Sequence, residues 1–488
     1  MSDSKILSIH VGQCGIRSGQ SCWELFSLEH GILNGASESG TCNNFFDKTP
    51  SGKYVPNALF VDTDPSVINE MRMGGTLFEP DQLICSGEEG SFNSYAMGRK
   101  YDENFIDVIM NEVRLKVERF DGFQGFIVNH SASGRTGSGL TARIMAQLSA
   151  EYKSATKVQV PVYSSQNFPP QEMSYGNIPL PMGVPHGSTF FATQGPPVRT
   201  PFPIGSSHDN VSMFPYPHKL NEPLHDLDSY NAVFSTSSAL RHADVSIVFE
   251  NEALHNICSK KLGVERPSHG NMNEVAAHAL SSATTGVRFG GDLNADLNEL
   301  RTNLVPGKQT QFLTTSYAPF YPKENPNNQL TVGDLTMACF ENANQTVKLD
   351  VAAGKYLAVS LSYRGDVKSR DVNSALFKLK IEQKVVFSSA CPTAVKAGIV
   401  SEPPRQVADG CVPAGGKCAG GLSNNTAVKQ LFERHLQRFD EMLGRKVNLH
   451  HYEQQGVEEA EFRAAREEVA GLIEEYRRFE EDADEEED

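Results

Sequence analysis

The sequence predicts an α/β fold built on a parallel sheet with helices on both faces, followed by a second α/β unit and a helical C-terminus. Three observations carry this expectation. From residue 5 to about 250, short apolar runs at 5–11, 59–62, 123–128, 157–163 and 245–249 alternate with helical patterns, the order produced by parallel strands with crossover helices. Further apolar runs, Phe312–Tyr317 and Tyr356–Tyr363, read as strands of the second unit. Two amphipathic patterns then close the chain.

The run His130-Ser131-Ala132-Ser133-Gly134-Arg135-Thr136-Gly137-Ser138-Gly139 joins the strand reading of Phe123–Val128 to a helix reading of Leu140–Leu148. A strand, a loop of small residues and a helix N-terminus together form a phosphate cradle, because backbone amides approach an anion closely and the helix end is positive. The run is neither a Walker loop nor a Gly-x-Gly-x-x-Gly dinucleotide motif. Parallel sheets hold ligands at the carboxyl ends of their strands, where this loop emerges.

A long helix is expected from Asn271 to about Thr285. Val428, Leu431, Phe432, His435, Leu436, Phe439 and Met442 recur at three- and four-residue spacing, giving one apolar helix face; His435 on that face reads as a packing residue. A second stripe runs through Phe462, Val469, Leu472, Ile473, Tyr476 and Phe479 within a helix expected over Glu458–Phe479. Eight of the nine residues from Glu480 to Asp488 are acidic, which predicts a disordered tail. The resulting divisions are 1–250, 251–290, 291–425, 426–479 and 480–488.

At 488 residues and 39% hydrophobic content the chain can bury two or three cores. A net charge of −16 argues against nucleic acid as a general partner and favours basic proteins. Nine scattered cysteines and no secretory pattern before Lys5 point to a reduced, cytoplasmic chain. No apolar run approaches the length of a membrane span. Between Gln166 and Pro217 lie 11 of the 26 prolines with no hydrophobic period, so an irregular excursion is expected there. A lineage insertion, a retained intron and a specialised binding arm all fit this segment.

The run at 130–139 resembles the glycine signature of the tubulin family, with Ser133 and Arg135 in place of two glycines. The resemblance continues through Lys5–Gly15, Trp23-Glu24-Leu25, Glu29–Ile32, Phe60-Val61-Asp62, Asn251-Glu252-Ala253, Glu265-Arg266-Pro267, Thr302–Pro306, Tyr363–Asp366 and Leu422–Ala427. It implies a Rossmann-like GTPase domain, an intermediate domain and C-terminal helices, with GTP and Mg2+ as ligands. By that resemblance, Gln13 and Cys14 face the phosphates, Asn93 contacts them, and Ser131, Ala132, Gly134, Thr136 and Gly137 line the signature loop. Asp62 and Asp64 stand beside the metal, Asp64 replacing a glutamate. Asp228 follows the insertion in the ribose loop, Asn251 and Asn273 read the guanine, and His269 replaces the tyrosine that stacks on it. Gly90 falls where the family carries an acidic residue. Arg135 introduces a Cβ where a glycine supplies positive φ or close approach, and also a guanidinium able to grip a phosphate.

The same resemblance points to the alpha type. Glu299, in Asn294–Leu300, matches the glutamate that alpha subunits present to the GTP of a neighbouring beta subunit. Pro403–Ala427 has the alpha length, and Glu458–Phe462 is close to the alpha pattern. Loop Asn34–Asn44 is short and lacks the lysine that carries luminal acetylation. The implied role is an alpha-type, weakly GTP-hydrolysing subunit of the cytoskeleton that pairs with beta-tubulin and polymerises, its tail engaging motors and basic microtubule-associated proteins. The alternative is an alpha-like paralogue that caps or modulates microtubules without normal nucleotide binding.

Overall fold

The computed structural model describes residues 4–33, 36–37, 44–49, 52–74, 77–86, 94–164, 227–290, 293–323, 330–381, 385–388, 395–413 and 415–481. The proline-rich segment and residues 482–488 lie outside this set. The N-terminal half runs β1 Lys5–Val11, α1 Gly12–Glu29, then the short β2 Ile32–Leu33, β3 Ala36–Ser37, β4 Phe46–Lys48 and β5 Tyr54–Pro56. It continues β6 Ala58–Asp62, α2 Pro65–Gly74, β7 Leu83–Cys85, α3 Tyr95–Arg99, α4 Glu103–Glu118, β8 Phe123–Ser131, α5 Arg135–Glu151 and β9 Thr156–Tyr163. After the proline-rich segment come α6 Asp228–His242, β10 Val245–Glu250, α7 Asn251–Asn256, α8 His269–Ala283, α9 Thr285–Phe289 and α10 Leu297–Leu304. The remainder is β11 Phe312–Ala318, α11 Val332–Ala338, β12 Tyr356–Gly365, α12 Ser369–Ile381, β13 Val395–Val400, β14 Lys417–Asn425, α13 Lys429–Gly444, α14 His450–Glu453 and α15 Glu459–Glu481.

Among the described residues ten strands form one sheet, ordered β13-β12-β14-β11-β10-β9-β8-β1-β6-β7. The seven strands from β11 to β7 are parallel to one another. The strands of the expected second unit therefore extend the first sheet, through the pairing of Ser246–Val248 with Phe312–Thr314. Only β14 runs antiparallel, against both β11 and β12.

Alternation along β1 explains the two layers. Ile6 faces a core holding Ile16, Trp23 and Phe26 of α1, while Leu7, Ile9 and Val11 face one holding Ile106 of α4 and Leu140 and Met145 of α5. Helices α1 and α5 thus lie on opposite faces although their strands, β1 and β8, are neighbours. That is the topological switch point of the sheet, where the loops after adjacent strands diverge and leave a crevice.

One buried ionic cluster bolts the first part of the chain to the later strands. Glu29, at the end of α1, meets Arg288 of α9 at 2.7 Å and Arg364 of β12 at 2.5 Å, and accepts hydrogen bonds from Ser281 of α8 at 2.8 and 2.9 Å. The three charged side chains are at most 2% exposed. Arg288 also lies over the Phe26 ring. Burial alone raises the Glu29 carboxyl, but the two guanidinium charges and their hydrogen bonds hold it down at about 2.

At the C-terminus, α15 runs on to Glu481 rather than ending at Phe479. Glu480, expected at the head of a disordered tail, pairs with Lys429 and accepts a hydrogen bond from Thr426 at 2.5 Å. These two partners stabilise the two added helical residues. His435 is buried against Tyr163, as a packing residue should be.

Candidate functional site

The register levels the carboxyl ends of the central strands. Val11 pairs with Val61 and His130, Ser131 with Val162, and Tyr163 with Glu250. The residues that follow these ends, Gly12, Asp62, Ala132 and Asn251, therefore emerge along one edge. Helix α1 begins directly at Gly12 and α5 at Arg135. Neither helix has a side-chain cap or an acidic residue in its first turn, so each presents unpaired amides and a positive dipole end to the crevice.

The two helix starts touch. Gly12 has a φ of +73°, and a Cβ there would stand 3.1 Å from the Gly137 nitrogen and 3.7 Å from Thr136 Cβ. Only glycine combines that dihedral with so close an approach. Gln13 is exposed beside it and Cys14 half-buried, with burial raising the thiol to about 11. The Cys14 side chain is thus a neutral wall, not a thiolate. Burial likewise holds His10 and His130 down, at about 3 and about 4, although hydrogen bonds to backbone carbonyls oppose the shift. Positive potential at the edge consequently comes from backbone amides rather than from imidazolium.

The signature loop is shorter than the sequence reading of it. Ser131 still belongs to β8, and α5 begins at Arg135 instead of Leu140, leaving Ala132-Ser133-Gly134 as the turn. The amides of Ala132 and Gly134 are already used, donating to Val162 O at 2.9 Å and Ser131 Oγ at 2.8 Å. The amides open to an anion are those of the first helical turn, including Thr136 and Gly137. Arg135 occupies the first helical position with no positive φ, so the backbone conflict expected of its Cβ does not arise. Its guanidinium is half-buried; burial lowers its pKa while the Asp228 carboxylate favours the charge. Asp228 stands in the first turn of α6.

Asp62 ends β6 next to Gly12's strand. It is buried, accepts the Thr63 amide at 2.8 Å and the Asp64 amide at 3.3 Å, and burial raises its carboxyl to about 6, with the Asp64 charge adding to the shift. Asp64 itself caps α2 by accepting the Ser66 amide at 2.8 Å. Among the described residues no cluster of three metal-ligating side chains exists. The two aspartates would supply only part of a magnesium ion's oxygen ligands, and phosphate oxygens and water would have to supply the rest.

On the other side, α8 runs parallel to α1. The Glu24 carboxyl is raised by burial and by the Glu274 carboxylate, and five residues on, Glu29 bonds Ser281. Both helices thus point their N-termini at the loop-bearing edge. This brings His269, exposed at the first position of α8, and Asn273, half-buried one turn on, toward the same end as Asn251. Asn93 and Gly90 lie outside the described residues.

The Tubulin/FtsZ family, GTPase domain, matches residues 5–177, and the Tubulin C-terminal domain matches residues 309–437. The Tubulin alpha-2 chain of Caenorhabditis elegans is 36% identical over 483 residues, covering 97% of this chain and 96% of that protein. The chain belongs to the tubulin family. Within it, this tubulin is a divergent alpha-type member.

Glu299 stands apart from the other described site residues expected of this tubulin. Helix α10 is fixed at the amino ends of the strands: the Leu297 amide donates to Gln124 Oε1 at 3.2 Å, and Arg301 pairs at 3.5 Å with Asp244, just ahead of β10. The nine residues of β8 separate that end from the signature loop by about 25–30 Å. The Glu299 carboxylate is half-buried and oriented, accepting the Ala295 amide at 2.9 Å and the Asn303 side-chain amide at 3.3 Å.

One residue that shapes the site was not identified as such from the sequence. Asn231 is fully buried; its Nδ2 donates to Ser133 O at 3.0 Å, and its Oδ1 accepts the Tyr95 amide at 2.9 Å and the Tyr452 hydroxyl at 2.5 Å. It ties the turn before α5 to α3 and to the C-terminal helices. Its partners lie as far as 221 residues away, and no local pattern reveals them.

Proposed function

We propose that this alpha-type tubulin binds GTP at the edge where α1 and α5 begin, pairs with a beta-type tubulin, and stacks end to end into microtubules of the cytoplasmic cytoskeleton. Gln13, Cys14, Thr136 and Gly137 would meet the phosphates, Asp228 the ribose, and Asn251, Asn273 and His269 the base. A magnesium ion held by the phosphates near Asp62 and Asp64 would neutralise phosphate charge.

The observation that carries the reading is the placement of Glu299 at the opposite end of the sheet from the two uncapped helix starts. A carboxylate there is too distant to act on this chain's own nucleotide. In a head-to-tail stack it faces the nucleotide of the next subunit, and contacts between unlike faces build an open filament. Its orientation by Ala295 and Asn303 suits it to position a water for in-line attack on the partner's terminal phosphate. The acidic C-terminus would attract motors and basic microtubule-associated proteins by charge.

Co-assembly with a beta-type tubulin tests this. Phosphate release in polymer should slow at least tenfold with Glu299→Ala, while nucleotide bound to this chain is unchanged. Unaltered phosphate release in assembled polymer would overturn the role of Glu299.

A further inference from the structure

Glu299 is held by a chain of polar side chains that reaches the outermost strand of the sheet. Its Oε1 accepts Asn303 Nδ2 at 3.3 Å, one turn further along α10. The same Nδ2 donates to Asn294 Oδ1 at 3.0 Å, and Asn294 Nδ2 donates to Ser360 Oγ of β12 at 2.9 Å. On its other side, Asn303 Oδ1 accepts the ammonium of Lys396 in β13. Ser360 and Lys396 are register partners in the parallel pair of β12 and β13, so both ends of the chain start from one rung of the sheet.

The two anchors differ in kind. Asn294 and Ser360 are buried, and Asn294 is fixed by its backbone at a φ of +52°. Leu293 beside it passes so close to α9 that a Cβ on Gly286 would fall 2.1 Å from Leu293 O. Lys396 is exposed on the edge strand and carries the only formal charge among the groups that bond Asn303 besides Glu299.

An amide side chain can reverse without changing shape, exchanging a donor for an acceptor. What faces Glu299 is therefore decided by what fixes the other side of Asn303. An ammonium only donates, so it selects the orientation with Oδ1 toward Lys396. Nδ2 then faces the Glu299 carboxylate and Asn294 Oδ1, both of which accept. Reversed, the amide would set its oxygen against both acceptors and leave them unpaired. The bond from Lys396 is of the stronger, charge-assisted kind, and it polarises the amide it holds.

We propose that Lys396 is a positioning residue for GTP hydrolysis in the neighbouring subunit, setting the direction of the Glu299 carboxylate through Asn303. This role rests on the trans action of Glu299 proposed above.

The test uses the full-length chain co-assembled with a beta-type tubulin. It reads phosphate release in assembled polymer, and separately the critical concentration for assembly with a non-hydrolysable GTP analogue. Lys396→Met keeps the length of the side chain and removes the donor. It should slow phosphate release about three- to tenfold with the critical concentration unchanged, and Lys396→Arg should recover most of the rate. Asn303→Asp, which replaces the donor facing Glu299 with a like charge, should slow release at least as much. In a Glu299→Ala background Lys396→Met should have no further effect, because a residue that acts only through Glu299 has nothing left to direct. A further loss in that background would show Lys396 meeting the phosphate itself and would overturn the positioning role. A raised critical concentration with unaltered release would make Lys396 a contact between subunits and overturn it equally. If Glu299→Ala slows release and Lys396→Met does not, the relay alone is refuted. If Glu299→Ala leaves release unaltered, the trans reading fails and takes the relay with it.

Discussion

The Leu297 amide donates to Gln124 Oε1 at 3.2 Å, fastening α10 to the start of β8 while the signature loop leaves that strand at Ser131. The same strand therefore carries the proposed cis site at one end and Glu299 near the other. Weakening this fastening should disturb hydrolysis without emptying the cis site. Gln124→Ala is expected to slow phosphate release in co-polymer about two- to fivefold, because a carboxylate misplaced by a fraction of an ångström positions water less well. Its own bound nucleotide should be unchanged, as read by chromatography of the denatured protein.

The contact between Gly12 and Gly137 makes a sharper prediction at the other end. Gly12→Ala meets both a positive φ and a 3.1 Å approach to the Gly137 nitrogen. We expect a loss of about 1 kcal/mol or more in stability and at least a tenfold faster release of guanine nucleotide, measured with a fluorescent analogue.

Asp62 sets a pH dependence. Its carboxyl is raised in the folded chain from 3.8 to about 6, so the native state binds a proton that the unfolded state does not between those values. Stability from this group is full below about 3.8 and declines as pH rises through 6. Asp62→Asn should accordingly stabilise the nucleotide-free chain at pH 7, by at most about 3 kcal/mol, and by progressively less on acidification. The same substitution should weaken magnesium-dependent nucleotide retention. Thermal melts at pH 4.5 to 7.5, with and without magnesium and GTP, check both signs.

Glu29 behaves oppositely. Its carboxyl is held at about 2 against an ordinary 4.5, so its contribution is present above 4.5 and is lost as pH falls through 2. Glu29→Gln leaves Arg288 and Arg364 buried without an anion and should destabilise the chain by about 3–5 kcal/mol at pH 7. Urea unfolding at pH 7 should show this deficit, and it should shrink below pH 4.5.

Much of the fold was legible in local pattern. The apolar run at 312–317 foretold a strand that extends one residue further, to Ala318, which still pairs with Ala419 of β14. The start of α5 was not legible in that way. Arg135 to Gly139 are small or polar and carry no apolar period, yet they are helical, since Gly137 and Gly139 let this turn pack against Ser131 and Tyr95. Glu480 looked like the start of a solvated tail because its partners, Lys429 and Thr426, lie about fifty residues earlier. The cluster of Glu29 with Arg288 and Arg364, and the clamp by Asn231, depend on contacts across the whole chain. The polar residues of the candidate site were found through family motifs; their convergence on one edge required the register of β6, β1, β8, β9 and β10.

The most direct measurement is the nucleotide released on denaturing the protein purified together with a beta-type partner. The account predicts close to one guanine nucleotide per chain attributable to this subunit, present as GTP and lost in Gly12→Ala. A subunit that carries none, while its partner's site is filled, would contradict the proposal that the paired starts of α1 and α5 hold a nucleotide.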